Sequence, residues 1–231
     1  MQLCKEKQPL LVAKREMPLN LQKPITYLIT SGATTATTTS STKDFARILK
    51  LVEAAVAAKI NLIQLREKNL AARVLFELAQ QAAELTRGSP TGLLVNDRAD
   101  IARAAGADGV HLTTRSLAAV VIRRTFGKDF LIGVSTHSLA EAGVAQEGGA
   151  DFAVFGPVFE TASKKIYGEP MGLDQLSEVA RELAPFPVLA LGGVTFANAR
   201  DCLRAGASGI AGIRLFDRAD EFGGRFTSFG R

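Results

Sequence analysis

Polar and charged side chains able to grip a polyanion recur along this 231-residue chain at the ends of short apolar runs. Gln64, Arg66 and Lys68 follow one such run, and Asn96, Asp97 and Arg98 follow the next. His111, Thr113 and Thr114 come after a third, and Ser135, Thr136 and His137 after a fourth. A longer stretch, Gly156-Pro-Val-Phe-Glu-Thr-Ala-Ser-Lys-Lys165, contains Thr161, Ser163 and Lys164, and Gly192-Gly193, Ile213 and Arg214 close the series. Lysine and arginine neutralise negative charge, hydroxyls donate hydrogen bonds, and glycine lets backbone N–H groups approach phosphate oxygens. Brought to one place, that set suits a diphosphate.

Each residue also has a plainer reading. Arg66 beside Glu67 could form a surface ion pair, and Asp97 could cap the helix that follows it. His137 could cap or pack, and Gly192-Gly193 could be turn chemistry alone. Lys164-Lys165 is harder to explain away, because adjacent cations in one loop repel unless they are solvated or bound to an anion. Each signal is weak alone; their common location at the ends of apolar runs carries the case.

The elements that must position them are legible as a repeat. Apolar runs at 26–30, 61–66, 92–97, 109–113, 130–136, 152–158, 187–193 and 209–215 are near-continuous rather than alternating. That pattern is expected of parallel strands covered on both faces. Helical patterns fill the intervals. Over 43–58, Phe45, Leu49, Val52 and Val56 share a face, and over 70–87 Val74, Leu78 and Leu85 do the same. Gly106-Ala-Asp-Gly-Val110, Gly149-Ala-Asp-Phe152 and Gly206-Ala-Ser-Gly-Ile210 each put glycine where a helix stops and a strand starts. Eight such units predict a (β/α)8 TIM barrel with its chemistry at the carboxyl ends of the strands. A doubly wound open sheet is the competing arrangement, but no glycine-rich fingerprint follows the first run. The expected organisation is an amino-terminal extension over 1–24, one barrel domain over 25–216 and an irregular tail over 217–231. Helical periodicity fades after Phe216, which predicts a short or missing eighth helix.

Composition narrows the class. Hydrophobic residues make up 47% and charged residues 22%, with no tryptophan, as in an ordinary globular domain. No apolar run is long enough for a membrane-spanning helix, and the first 17 residues lack the apolar stretch of a signal peptide, which points to a cytoplasmic protein. Two cysteines, Cys4 and Cys202, make no disulfide framework, and no Cys/His spacing suggests zinc. The net charge of +5 suits anionic substrates, while the scattered basic residues speak against nucleic acid. Expected partners are therefore small phosphorylated molecules, with a homo-oligomer left open.

Several motifs, in order and on the expected strands, make the chain resemble the thiamine phosphate synthase family over about 27–216. They are Gln64-Leu-Arg-Glu-Lys68, Asn96-Asp-Arg98, Gly106-Ala-Asp-Gly-Val-His-Leu112, Gly133-Val-Ser-Thr-His-Ser138, Phe155-Gly-Pro-Val-Phe-Glu-Thr-Ala-Ser-Lys-Lys165 and Leu191-Gly-Gly-Val194. The resemblance implies that Gln64, Arg66, Lys68 and Asn96 hold hydroxymethylpyrimidine diphosphate, with Asp97 as a ligand of Mg²⁺. It implies that Ser135 and Lys164 touch the same substrate, and that Thr161, Ser163, Gly192 or Gly193, Ile213 and Arg214 hold the thiazole phosphate. Arg66, Ser135, His137 and Lys164 are the expected catalytic set.

One position departs from the family. Its second magnesium carboxylate is expected where this chain has Ser116, which alternatively reads as the cap of a helix beginning at Leu117. The Ser135-Thr-His-Ser-Leu139 run also resembles the related thiazole tautomerases, in which a histidine at the position of His137 is implicated in proton transfer. Lys68 and Asp97, which a tautomerase handling no diphosphate would not need, favour the synthase. A non-catalytic phosphate-binding regulator and an unrelated phosphosugar isomerase are the other classes. The first would need neither Lys68 nor Asp97, and the second lacks a well-placed general base.

Overall fold

The structure of the chain, a computed structural model, describes residues 23–160 and 169–216. The strands β1 (Ile25–Ile29), β2 (Leu62–Leu65), β3 (Gly92–Asn96) and β4 (Gly109–Leu112) are separated by α1 (Lys43–Ala57), α2 (Ala72–Thr86) and α3 (Ala99–Ala105). After α4 (Ala119–Phe126) come β5 (Leu131–Thr136), α5 (Leu139–Glu147), β6 (Phe152–Phe155) and α6 (Gly172–Glu182). The series ends with β7 (Val188–Ala190), α7 (Ala199–Arg204), β8 (Gly209–Gly212) and a single 3₁₀ turn, Arg214–Phe216. All strands run parallel, and β1 pairs with both β2 and β8, so the sheet closes on itself. The expected barrel is present, and the open sheet is excluded. The expected extension, apart from residues 23 and 24, and the expected tail lie outside the described residues.

Both strand faces are apolar because both are covered. Ile25, Tyr27, Ile29, Leu62, Leu94, Phe152, Val154, Leu189 and Ala211 fill the barrel interior. Leu28, Ile63, Leu65, Val95, Val110 and Ile132 point outward under α1 to α4, while Ala153, Phe155, Val188, Ala190 and Ile210 pack with α6 and α7. Truncating a fully buried interior ring such as Phe152 to alanine would cost about 3–5 kcal/mol.

All the strands except β5 end earlier than their apolar runs. At the end of β6 the chain reads Gly156-Pro157, and proline has no N–H to offer the ladder. The predicted face of α1 is right at Phe45 and Val52, which are buried with Ile48 and Ala55, while Leu49 and Val56 flank them. The predicted face of α2 is wrong at Leu85, which is 38% exposed. Leu75, Ala79, Ala82 and Thr86 form the buried stripe, and at 100° per residue Leu85 lies roughly 90° from its centre. Alanines let this helix sit close to its neighbours, so the large residues marked the flank. Gly106, Gly149 and Gly206 adopt positive φ at the three predicted helix-to-strand joins.

Candidate active site

A closed parallel barrel puts the carboxyl ends of all its strands at one mouth. Gln64, Arg66 and Lys68 stand there after or near the end of β2, Asn96 and Asp97 at β3, Ser135 and His137 at β5. Gly192 and Gly193 follow β7, and Ile213 and Arg214 follow β8. Thr161, Ser163 and Lys164, together with Lys165, lie outside the described residues.

The β2 segment alternates in role. Gln64 points into the barrel and is 2% exposed. Arg66 donates its backbone N–H to Thr30 Oγ1 at 2.8 Å. Glu67 does not act as the surface partner of Arg66, since it is 3% exposed and its carboxylate faces the β1–α1 loop. There it accepts from Gly32 N at 3.2 Å, Thr34 N at 3.3 Å and Thr34 Oγ1 at 2.7 Å. Asn69 adds a bond from Nδ2 to Thr34 O at 3.0 Å. Lys68 is thereby left on the open side.

Lys68, Asn96, Asp97, Arg98, Thr113 and Arg115 line a cavity of about 290 Å³ beside the mouth. Partial burial holds the Lys68 ammonium below the usual lysine range; repulsion from Arg66 and Arg115 pushes the same way, and Asp97 opposes them. The Arg98 guanidinium is already spoken for by Asp100, with contacts of 2.8 and 2.6 Å. Mutual repulsion of Arg66, Lys68 and Arg115 is what an anion would relieve. Asn96 Oδ1 is buried and has no hydrogen-bond partner among the described residues, so a ligand N–H is the natural group to satisfy it.

Asp97 sits at φ +60°, a conformation that aspartate tolerates better than most residues. Its backbone N–H bonds to His111 O at 2.9 Å, which holds it at the end of β3. It does not cap α3, whose flanking residue is Arg98 and which has no side-chain cap. Ser116 does not cap α4 either, for that helix starts at Ala119. Instead Ser116 Oγ accepts from Thr113 N at 2.8 Å and closes the turn after β4. Among the described residues no three His, Cys, Asp or Glu side chains cluster to hold a metal. The donor set therefore does not fit a metal held by protein alone. It fits Mg²⁺ shared between the Asp97 carboxylate and ligand phosphate oxygens, the usual way magnesium is bound at phosphate sites.

Inside the mouth a line of polar groups crosses the barrel. Gln64 Nε2 donates to Tyr27 Oη at 2.9 Å, Tyr27 Oη meets His111 Nδ1 at 3.1 Å, and His111 Nε2 meets Ser135 Oγ at 2.9 Å. Burial holds the Tyr27 phenol above its ordinary value. Burial, helped by the Arg66 charge, lowers the His111 imidazole to about 3. Both groups are neutral across the physiological range.

The loops after β5, β6 and β7 pack on one another. His137 Nδ1 donates to Gly156 O, which leaves Nε2 as the basic nitrogen of the ring. Its backbone N–H reaches Glu141 Oε2 at 2.7 Å, while Ser138 caps α5 by accepting from Glu141 N. Gly192 and Gly193 have φ of +95° and +65°. A Cβ on Gly192 would lie 2.6 Å from Pro157 Cα, and one on Gly193 would lie 2.6 Å from Glu160 O. Close packing of the two loops thus suffices to require glycine at both positions. Ile213 packs against the interior cluster, and Arg214 is exposed in the 3₁₀ turn.

Two residues of this region were not among the expected binding groups. Tyr27 had no signal beyond a tyrosine within an apolar run. Arg115 has one, a cation two residues beyond Thr113, in the segment where the family resemblance implies a metal carboxylate.

Comparison with known proteins bears on the same segments. Residues 34–216 match the family described as thiamine monophosphate synthase. A Geobacter sulfurreducens relative, provisionally named thiamine-phosphate synthase, is 50% identical over 164 residues, 71% of this chain and 76% of its own. The thiamine-phosphate synthase of Chloroflexus aurantiacus is 40% identical over 171 residues, 74% and 78% of the two chains. Among solved structures, the thiamine phosphate pyrophosphorylase of Pyrococcus furiosus superposes with a TM-score of 0.72 at 29% identity. The superposition covers 89% of this chain and 96% of the other.

Proposed function

Because the chain belongs to the thiamine monophosphate synthase family, we propose that it is a thiamine phosphate synthase acting on hydroxymethylpyrimidine diphosphate and a thiazole phosphate. The protein is an enzyme, a transferase of the thiamine-phosphate synthase type. The carrying observation is the cavity in which Lys68 and Arg115 stand beside Asp97 and the unsatisfied Asn96 Oδ1. A diphosphate needs the two cations and a carboxylate that can share a metal with it, and the Asn96 oxygen suits an N–H of the pyrimidine; a monophosphate isomerisation needs neither.

In this reaction the C–O bond between the pyrimidine methylene and the diphosphate breaks, and its electron pair leaves with the diphosphate. The thiazole nitrogen then supplies the pair that forms the new C–N bond. The protein's work is to align the two rings and to stabilise the charge that develops on the leaving group. Arg66 and Lys68 neutralise that charge, and Ser135 donates to it. Gln64 and Asn96 orient the pyrimidine. Lys164 contacts the diphosphate, while Thr161, Ser163, Gly192 or Gly193, Ile213 and Arg214 hold the thiazole phosphate. Asp97 would hold Mg²⁺ together with the diphosphate oxygens, and the ion would supply further neutralisation there. Among the described residues no helix is long and apolar enough to cross a membrane, and a role on free phosphorylated metabolites fits the cytoplasm.

A second reading rests on His137. With Nδ1–H fixed on the Gly156 carbonyl, Nε2 is a base available for proton transfer, as a thiazole tautomerase requires. One assay separates the two. Purified protein incubated with the pyrimidine diphosphate, the thiazole phosphate and Mg²⁺ should yield thiamine phosphate. Conversion of one thiazole tautomer into the other, without any thiamine phosphate, would reverse the assignment.

A further inference from the structure

We propose that Tyr27 and His111 are positioning residues that fix the direction of the Ser135 hydroxyl, so that its proton is offered to an anion in the mouth. This rests on the placement of the diphosphate beside Ser135 under the function just described.

The direction follows from what each group can donate. Gln64 Nε2 carries only protons, so Tyr27 Oη is an acceptor in their 2.9 Å contact. The single phenolic proton is then free to point at the oxygen's other neighbour, His111 Nδ1, 3.1 Å away. A proton on Nδ1 as well would put two hydrogens in one gap. The imidazole proton therefore sits on Nε2, which donates across 2.9 Å to Ser135 Oγ. Ser135 accepts from inside the barrel, and its own O–H is released towards the mouth. Reversing the line would turn that proton inward and present an anion with lone pairs instead.

Packing keeps the ring in the plane this needs. His111 is 2% exposed, and Tyr27 and Phe152 meet edge to face at 87°, with ring centroids 5.4 Å apart. The His111 ring lies against both, at centroid distances of 5.6 and 6.3 Å. Room for them comes from Gly133, where a Cβ would stand 2.4 Å from Phe152 Cζ and 2.8 Å from His111 Nδ1. Tyr27 and His111 are 84 residues apart and touch only because the barrel closes.

Two measurements test the proposal. Long-range proton–nitrogen NMR spectra at pH 7 read the tautomer directly, and with two histidines in the chain a His111→Gln variant completes the assignment. The expected result is a proton on Nε2 and none on Nδ1; a proton on Nδ1 overturns the proposal. This readout needs neither substrate nor turnover, so it stands whether or not the synthase activity is found. The second is a cycle on the binding of inorganic diphosphate with Mg²⁺, using Tyr27→Phe, Ser135→Ala and the double variant. Tyr27→Phe should weaken binding about fivefold, the worth of one ordinary hydrogen bond, and should add nothing once Ser135 is alanine. Equal losses in both backgrounds would mean that Tyr27 acts through packing and would overturn the proposal.

Discussion

On the β2 to β4 side of the mouth, Lys68, Asp97 and Arg115 stand exposed around a cavity, whereas on the β6 to β7 side the chain is packed tightly on itself. There Phe159 N bonds to Gly192 O and Val158 N to Leu191 O, both at 2.9 Å, and two glycines fill spaces too small for a methyl group. One side gathers cations around a cavity; the other is closely packed and has no Lys or Arg in the described parts of its β6 and β7 loops. Residues of the first side should therefore report on ligand alone, and the glycines of the second on folding as well.

The largest expected effect breaks the first side alone. Lys68→Ala should lower the rate of thiamine phosphate formation by roughly two orders of magnitude, the loss typical of one charge-assisted contact to a developing anion. Its melting curve should stay within about 0.5 kcal/mol of the parent, because exposed side chains away from packed features rarely do more. A destabilised variant with normal kinetics would reverse the comparison. Gly193→Ala should strike the fold as well as the thiazole phosphate site. At φ +65°, with Glu160 O in the way, a methyl group should destabilise the fold by about 2 kcal/mol, read from denaturant titration. Unchanged stability would show that the two loops give way easily.

Smaller effects sharpen the contrast on the cationic side. Ser116→Asp places a second carboxylate after β4, so the Mg²⁺ concentration for half-maximal activity should fall about threefold. An unaltered requirement, beside a His137→Ala variant that abolishes thiazole isomerisation, would favour the tautomerase. Ser116→Ala should lose the bond from Thr113 N and the 3.2 Å contact with Thr113 Oγ1, together about 1 kcal/mol by thermal melting, with no change in Mg²⁺ dependence. A change in that dependence would place Ser116 in the metal site despite its turn-closing bond.

The barrel could be read from the chain because each strand writes its own apolar run and α3, α5 and α7 run out at Gly106, Gly149 and Gly206. Those signals are local. Small residues hide faces, as in α2, where Ala79 and Ala82 are buried and the more conspicuous Leu85 is not. The candidate site was legible where residues cluster in sequence, as at Gln64 to Lys68 and Asn96 to Asp97. It was not legible where a contact spans distant strands. Nothing about Tyr27 in sequence tells that its hydroxyl lies between Gln64 and His111. Asp97 and Ser116 looked like helix caps because short polar residues favour those positions, but the helices start two and three residues later, at Ala99 and Ala119.

The inward turn of Glu67 has a kinetic consequence. By formal count the segment from Gln64 to Lys68 carries one net positive charge. Its carboxylate, however, is turned to the N–H and O–H groups of Gly32 and Thr34 and has almost no exposure. A substrate approaching through solvent meets Arg66 and Lys68 with their intervening negative charge set back from the surface, on a chain already at +5. Such an arrangement attracts polyanions over about one Debye length, near 8 Å at physiological salt and near 30 Å at 0.01 M. Capture of the diphosphate substrate should therefore quicken as salt is diluted, with the alignment of the bound rings left as it was.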